Sequence, residues 1–207
     1  MSSRFSRASV LPRTEEQLVR DRIGESVAAT QALLDGDLPD LTAELAEMVV
    51  ACIEDGGKVL LFGNGGSAAD ATHLAAELVG RFRRDRAPLP ALSLTDNASS
   101  MSAIGNDYDY DEVFARQVRA FGREGDVAVG LTTSGGSRNV VGGLRAAREL
   151  GLRTAVLTGA AGGAAALEAD LRLCVPTTDT ARVQECHMVV GHIVCELVEQ
   201  AIFPAAP

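Results

Sequence analysis

The stretch KVLLFGNGGSAADATHLAAELVGRF, Lys58 to Phe82, decides the fold. It opens on a short apolar run, Val59 to Phe62, bounded by turn-forming residues, which is the profile of a parallel strand buried on both faces. Gly63, Asn64, Gly65 and Gly66 then permit a tight turn with positive φ angles and close backbone approach. Ser67 suits the N-cap of the helix that follows. A strand–glycine turn–helix unit aims amide groups and the positive end of a helix dipole at one point, which suits a phosphate. On the helix, His73 and Glu77 stand four residues apart and share a face. Leu74, Leu78 and Val79 imply that much of this helix is buried, and a buried glutamate needs a partner. The phosphate-sized cradle and the His–Glu pair together form a candidate active site.

Outward from this unit the chain alternates helices and strands. Thr14 to Leu33 has a helical pattern with Leu18, Ile23, Val27, Ala28 and Leu33 near one stripe, broken by Gly36 and Pro39. Leu41 to Ile53 is a second amphipathic helix, closed by Gly56 and Gly57. Leu89 to Thr95 predicts a second strand, leading to Asp96, Asn97 and a short helix around Ser99 to Ile104. Asp111 to Phe121 is helical, and Val127 to Thr133 is a third strand. That strand runs into Thr-Thr-Ser-Gly-Gly-Ser, Thr132 to Ser137, and then a helix to Leu150. Here the strand–loop–helix design recurs, rich in hydroxyls that can donate to phosphate oxygens. Arg153 to Gly159 and Leu171 to Pro176 are the fourth and fifth strands. A long helix from Thr180 to Ala201 carries Gln184, Glu185, His187 and His192. The result is an α/β fold, a doubly wound five-stranded parallel sheet whose ligand edge is the carboxyl end of the strands. The two N-terminal helices and the last helix carry more apolar surface than one sheet face needs, so a homo-oligomer is expected.

Composition narrows the function. The 207 residues are 46% hydrophobic and 23% charged, ordinary for a globular protein. The net charge of −9 argues against a nucleic-acid surface. The one basic cluster, Arg81, Arg83, Arg84 and Arg86, is interrupted by Asp85 and reads as a solvated loop after a helix end. Cys52, Cys174, Cys186 and Cys195 have no metal-ligand spacing and sit in apolar runs, as reduced core residues of a cytoplasmic protein do. No stretch is long and apolar enough for a membrane span. The opening MSSRFSRASVLPR lacks the apolar core of a signal peptide and reads as a loose tail over residues 1–13.

Four segments, GNGGSAADATHLAAEL, IGNDYDYDEVFARQV, TTSGGS and ARVQECHMVVGH, resemble the sugar isomerase (SIS) domain family, in particular its phosphoheptose isomerases. The likeness runs from about Glu15 to Phe203. It implies a three-layer αβα sandwich with extra N-terminal helices, one SIS domain over residues 14–207. The implied reaction turns sedoheptulose 7-phosphate into D-glycero-D-manno-heptose 7-phosphate. By resemblance, Ser67, Thr132, Thr133, Ser134 and Ser137 match the phosphate binders, and Asp96 a sugar contact. We expect Asn64, Gly65, Gly66, Asn97 and Gln184 to join the substrate site. His73, Glu77, Gln184 and His192 match a divalent-metal site, usually zinc, and Glu77 and His192 also match the acid–base pair. The implied assembly is a tetramer. Ala68 and Ala181 depart from the pattern, since some relatives carry His and Asp there.

The chemistry agrees with the resemblance. Aldose–ketose isomerisation moves a proton between C1 and C2 through an enediol and needs a base and an acid beside the carbonyl. A carboxylate (Glu77) and an imidazole (His192) supply both, and a metal ion can polarise the oxygens. Gln184 and His192, however, are ~12 Å apart along a helix and about 80° apart around it. Reaching one ion requires side chains that lean together, or different subunits. His187 has no assigned role and reads as structural. The rival reading is a non-enzymatic SIS protein that binds the replication initiator DnaA, resembled in TARVQE and IFP. The complete set His73, Glu77, Gln184 and His192 favours the enzyme. A sugar-phosphate-sensing regulator would need a basic helix-turn-helix, and none precedes Lys58.

Overall fold

The computed structural model describes residues 14–204, so the tail expected over residues 1–13 lies outside the described residues. Helix α1, Glu15–Gln31, begins where Thr14 Oγ1 accepts a hydrogen bond from Gln17 N, with Glu15 and Glu16 in the first turn favoured by the helix dipole. Helix α2, Leu38–Glu54, starts earlier than the pattern implied. Pro39 lies inside its first turn, where a missing N–H costs nothing, so it opens this helix rather than only ending the previous one.

Strands β1 (Val59–Gly63), β2 (Ala91–Ser93), β3 (Val127–Thr132), β4 (Arg153–Gly159) and β5 (Leu171–Val175) form one all-parallel sheet in the order β2-β1-β3-β4-β5. Helices α3 (Gly66–Val79), α4 (Ala98–Asp107), α5 (Val113–Phe121), α6 (Arg138–Glu149), α7 (Gly163–Glu168) and α8 (Thr180–Ile202) complete the chain. Successive strand residues point to opposite faces, and two cores result. Val59, Leu61, Val129, Leu131 and Leu157 pack with α2, α3 and α8 on one face. Leu60, Phe62, Ala128 and Val156 pack with α5, α6 and α7 on the other, where the rings of Phe62 and Phe114 meet at 5.2 Å. This is the expected three-layer αβα sandwich.

The hydrophobic pattern overstated β2, which keeps three residues on an edge where only one neighbour can pair with it. It missed α7, a short Ala-rich helix after two glycines with positive φ, Gly162 and Gly163. Helix α1 buries none of its side chains, and Leu18, Ile23 and Val27 are exposed. Among the described residues no helix is long and apolar enough to cross a membrane.

Candidate active site

The sheet order reverses direction between β1 and β3, whose paired ends Gly63 and Leu131 deliver the two glycine-rich loops side by side. That is the switch point where open α/β sheets bind ligands. In the first loop only Gly65 takes a positive φ (57°), and it, not Ser67, is the N-cap of α3. Ser67 lies one residue inside the helix and is buried, so its hydroxyl is no cap; the expected capping role is corrected. The amides at the start of α3 thus meet no capping side chain, as an anion cradle requires.

The second loop is closed on itself. Thr132 Oγ1 and Ser137 Oγ lie 3.1 Å apart, and Ser134 Oγ accepts from Gly136 N at 3.2 Å. Gly135 has φ 68° and packs so tightly on Gly162 that a Cβ would collide with its carbonyl. Thr132 is buried, Thr133 and Ser137 are half-buried, and Ser134 is exposed. Ser137 is the N-cap of α6 without a side-chain cap bond, so this helix also offers its N-terminus to the loop.

Asn64 is held in place by a reciprocal amide pair with Asn139 (2.8 and 2.9 Å) and accepts from Tyr110 Oη at 3.2 Å. It lines a cleft of about 550 Å³ with Gly63, Gly65, Ala68, Thr95 and Tyr110. Asp96 accepts from Thr72 Oγ1 at 2.5 Å, within a hydroxyl cluster that includes Ser93 and Thr95. Asn97 accepts from Ser100 N and caps α4.

The reactive groups gather between α3 and α8. Gly191 lets the helices approach closely, since a Cβ there would stand 2.6 Å from the Leu74 methyls. His73 Nε2 comes within 3.0 Å of His192 Nε2 and 3.2 Å of Glu77 Oε1. The ligand atoms of these three residues all lie within 4.8 Å of one another. Two ligands bound tetrahedrally to zinc stand about 3.4 Å apart, so two imidazoles and a carboxylate at these separations fit one such ion. Gln184 comes from α8 onto the same stripe of α3. It packs against Gly66, where a Cβ would collide with its amide, two helical turns before His73. Ala68, which lines the cleft, and Thr72, which bonds Asp96, lie roughly opposite the Gly66–Asp70–His73–Glu77 stripe at 100° per residue. Within one chain, then, the cleft and the His/Glu/His cluster occupy different sides of α3.

Three residues escaped the sequence reading. Asp70, on the same stripe, has Oδ2 buried without a partner, and burial pushes its pKa up to about 6 although His73 pulls it down. The i−3 spacing from His73 was the available signal. The Phe82 ring stacks on His192 with centroids 5.6 Å apart and planes 26° apart. Glu199 is buried in the last turns of α8. The arginine cluster is only in part the solvated loop expected: Arg81 and Arg83 are exposed, Arg83 pairing with Glu196, while Arg84 donates to Phe203 O and the Arg86 side chain is buried against Glu199. His187 is fully buried with neither ring nitrogen hydrogen-bonded, and burial pushes its pKa down to about 4.

A three-layer αβα sandwich with phosphate-type loops at its switch point defines the class, and residues 25–159 match the SIS domain model. The chain is 51% identical over 185 residues to the phosphoheptose isomerase of Roseiflexus sp., covering 89% of this chain and 93% of that one. It is 52% identical over 159 residues to the phosphoheptose isomerase of Aquifex aeolicus, covering 77% and 83%. Among solved structures, the phosphoheptose isomerase of Neisseria gonorrhoeae superposes with a TM-score of 0.84 at 41% identity, covering 89% of this chain and 98% of that one. The enzyme of Francisella tularensis superposes with a TM-score of 0.87 at 35% identity, covering 90% and 99%. The chain belongs to the SIS-domain family, among its phosphoheptose isomerases, and is a sugar-phosphate isomerase of heptose biosynthesis.

Proposed function

We propose that the protein interconverts sedoheptulose 7-phosphate and D-glycero-D-manno-heptose 7-phosphate through an enediol, in the cytoplasm. The observation that carries this reading is the convergence of His73, Glu77 and His192 from two helices. Phosphate binding falls to the TTSGGS loop and the open N-terminus of α6, where amides and hydroxyls converge. Glu77 takes the proton from C1 or C2, and His192 donates a proton to the neighbouring oxygen. His73 lies beside both and orients them. The three side chains would hold a divalent ion, with zinc suited to two imidazoles and a carboxylate; when bound it supplies electrophilic polarisation of the substrate oxygens.

The oligomeric reading follows from the same helices. Leu34 and Val27 border an apolar groove of about 540 Å³ that continues over Ile193 and Leu197. A second copy covers this surface in the proposed tetramer. Association brings the cleft of one copy to the reactive cluster of another. The assembled three-residue cluster favours catalysis over a purely DnaA-binding role, which needs no proton-transfer pair.

The test is incubation of the zinc-loaded protein with sedoheptulose 7-phosphate, with aldose formation followed by NMR. Glu77→Gln keeps the side-chain shape and removes its basicity, so turnover should drop about 10²–10⁴-fold while the melting curve holds. No turnover by the wild type, or full turnover by Glu77→Gln, refutes the reading.

A further inference from the structure

The segment after α3 is pinned by one carboxylate. Glu199 Oε1 accepts from Arg83 N and Arg84 N, both at 2.9 Å, and Oε2 accepts from Phe82 N at 3.1 Å and Arg86 Nε at 3.0 Å. The side chains of Arg86 and Glu199 are 1% and 2% exposed, so this is a buried ion pair with its donors and acceptors matched. The rest of the guanidinium closes the C-terminal end of α3. It donates to Glu77 O at 2.8 Å and Leu78 O at 2.9 Å, carbonyls of the last turn that a helix leaves unpaired.

Both ends of this pair lead to the reactive cluster. Glu199 is seven residues after His192, hence on the same face of α8 and about 10 Å along it. By gathering three successive amides, Glu199 turns the chain back over α8 and sets the Phe82 ring on the His192 imidazole. Arg86 holds the carbonyl of Glu77 itself. An isolated buried pair contributes little net stability compared with apolar residues of equal volume, so its placement beside the site calls for another account.

We propose that Arg86, Glu199 and Phe82 are positioning residues for the isomerase: the ion pair fixes the end of α3 at Glu77 and presses Phe82 onto His192, setting the imidazole's orientation. This rests on the catalytic reading of Glu77 and His192. Phe82 touches a catalytic group but no reacting atom, and Arg86 and Glu199 act through it and through the α3 backbone.

The experiment compares wild type with Phe82→Leu, Phe82→Tyr and Glu199→Gln, using two readouts. The first is the imidazole NMR spectrum of the metal-free protein, with His192 assigned by its loss in His192→Asn. The second is the split between kcat and KM on sedoheptulose 7-phosphate. Phe82→Leu leaves the ion pair intact and removes the ring, so the His192 signal should lose its ring-current shift. Its kcat should fall about 10–100-fold, as for a misplaced catalytic group, with KM nearly unchanged. Phe82→Tyr restores the ring and should restore both. Glu199→Gln should reproduce the Phe82→Leu spectrum if it folds; Phe82→Leu carries the test if it does not. An unmoved His192 signal in Phe82→Leu, or a moved signal with wild-type kcat, overturns the proposal. If the wild type itself does not turn over the substrate, the catalytic reading fails, while the imidazole spectra still report whether the ring is held on His192.

Discussion

Acidification should expose His187. Its ring is fully buried on α8, and neither nitrogen has a hydrogen-bond partner. Burial lowers its pKa from 6.5 to about 4; the nearby Thr158 backbone pulls it upward and is the weaker influence. Between these two values the unfolded chain takes up a proton that the native protein refuses. The contribution is therefore fully present above pH 6.5 and is lost as pH falls towards 4. At 1.36 kcal/mol per pKa unit, the loss from this one group is about 2 kcal/mol at pH 5 and about 3 kcal/mol once pH 4 is passed. His187→Phe fills the same space without titrating. Urea unfolding of both proteins at pH 7 and pH 5, at one protein concentration, isolates the term because every other group titrates alike in both. Wild type should lose about 2 kcal/mol more than His187→Phe over this interval. Equal losses, or a His187 imidazole that titrates near 6.5 by NMR, would refute the reasoning.

The phosphate loop should respond in KM. Ser134→Ala combined with Ser137→Ala removes two hydroxyl donors, each worth roughly 1.5–3 kcal/mol towards an anion; unchanged affinity for the phosphorylated sugar refutes its assignment. Gly135→Ala forces a Cβ into the Gly162 carbonyl at φ 68°, so it should lower the melting temperature and weaken substrate binding together. A wild-type melting curve would show that the loop gives way freely. Val27→Glu places a charge on the exposed apolar stripe of α1 and should dissociate the proposed oligomer in light scattering, with activity falling as subunits separate. An active monomer, mutant or wild type, contradicts a shared site.

Local pattern carried most of the architecture. Strands such as Val59–Gly63 and Arg153–Gly159 are runs buried on both faces, and buried parallel strands announce themselves by unbroken apolar residues. The pairing of His73 with Glu77 was legible for a similar reason: a helix puts i and i+4 together whatever surrounds it. What local spacing cannot encode is which residues distant in sequence converge. His192 reaches His73 across 119 positions only because Gly191 lets α8 sink onto Leu74. Gln184 shares that helix and ends beside Gly66, eight residues of rise before His192. The arginines after Phe82 looked like a solvated charge run until α8 supplied Glu196 and Glu199 as partners. Periodicity thus determined the alternating strands and helices of a doubly wound parallel sheet and the two glycine-rich loops, but not the strand order. The tertiary packing of α3 on α8 decided which charges are buried and which second imidazole, His192, joins the His73–Glu77 pair.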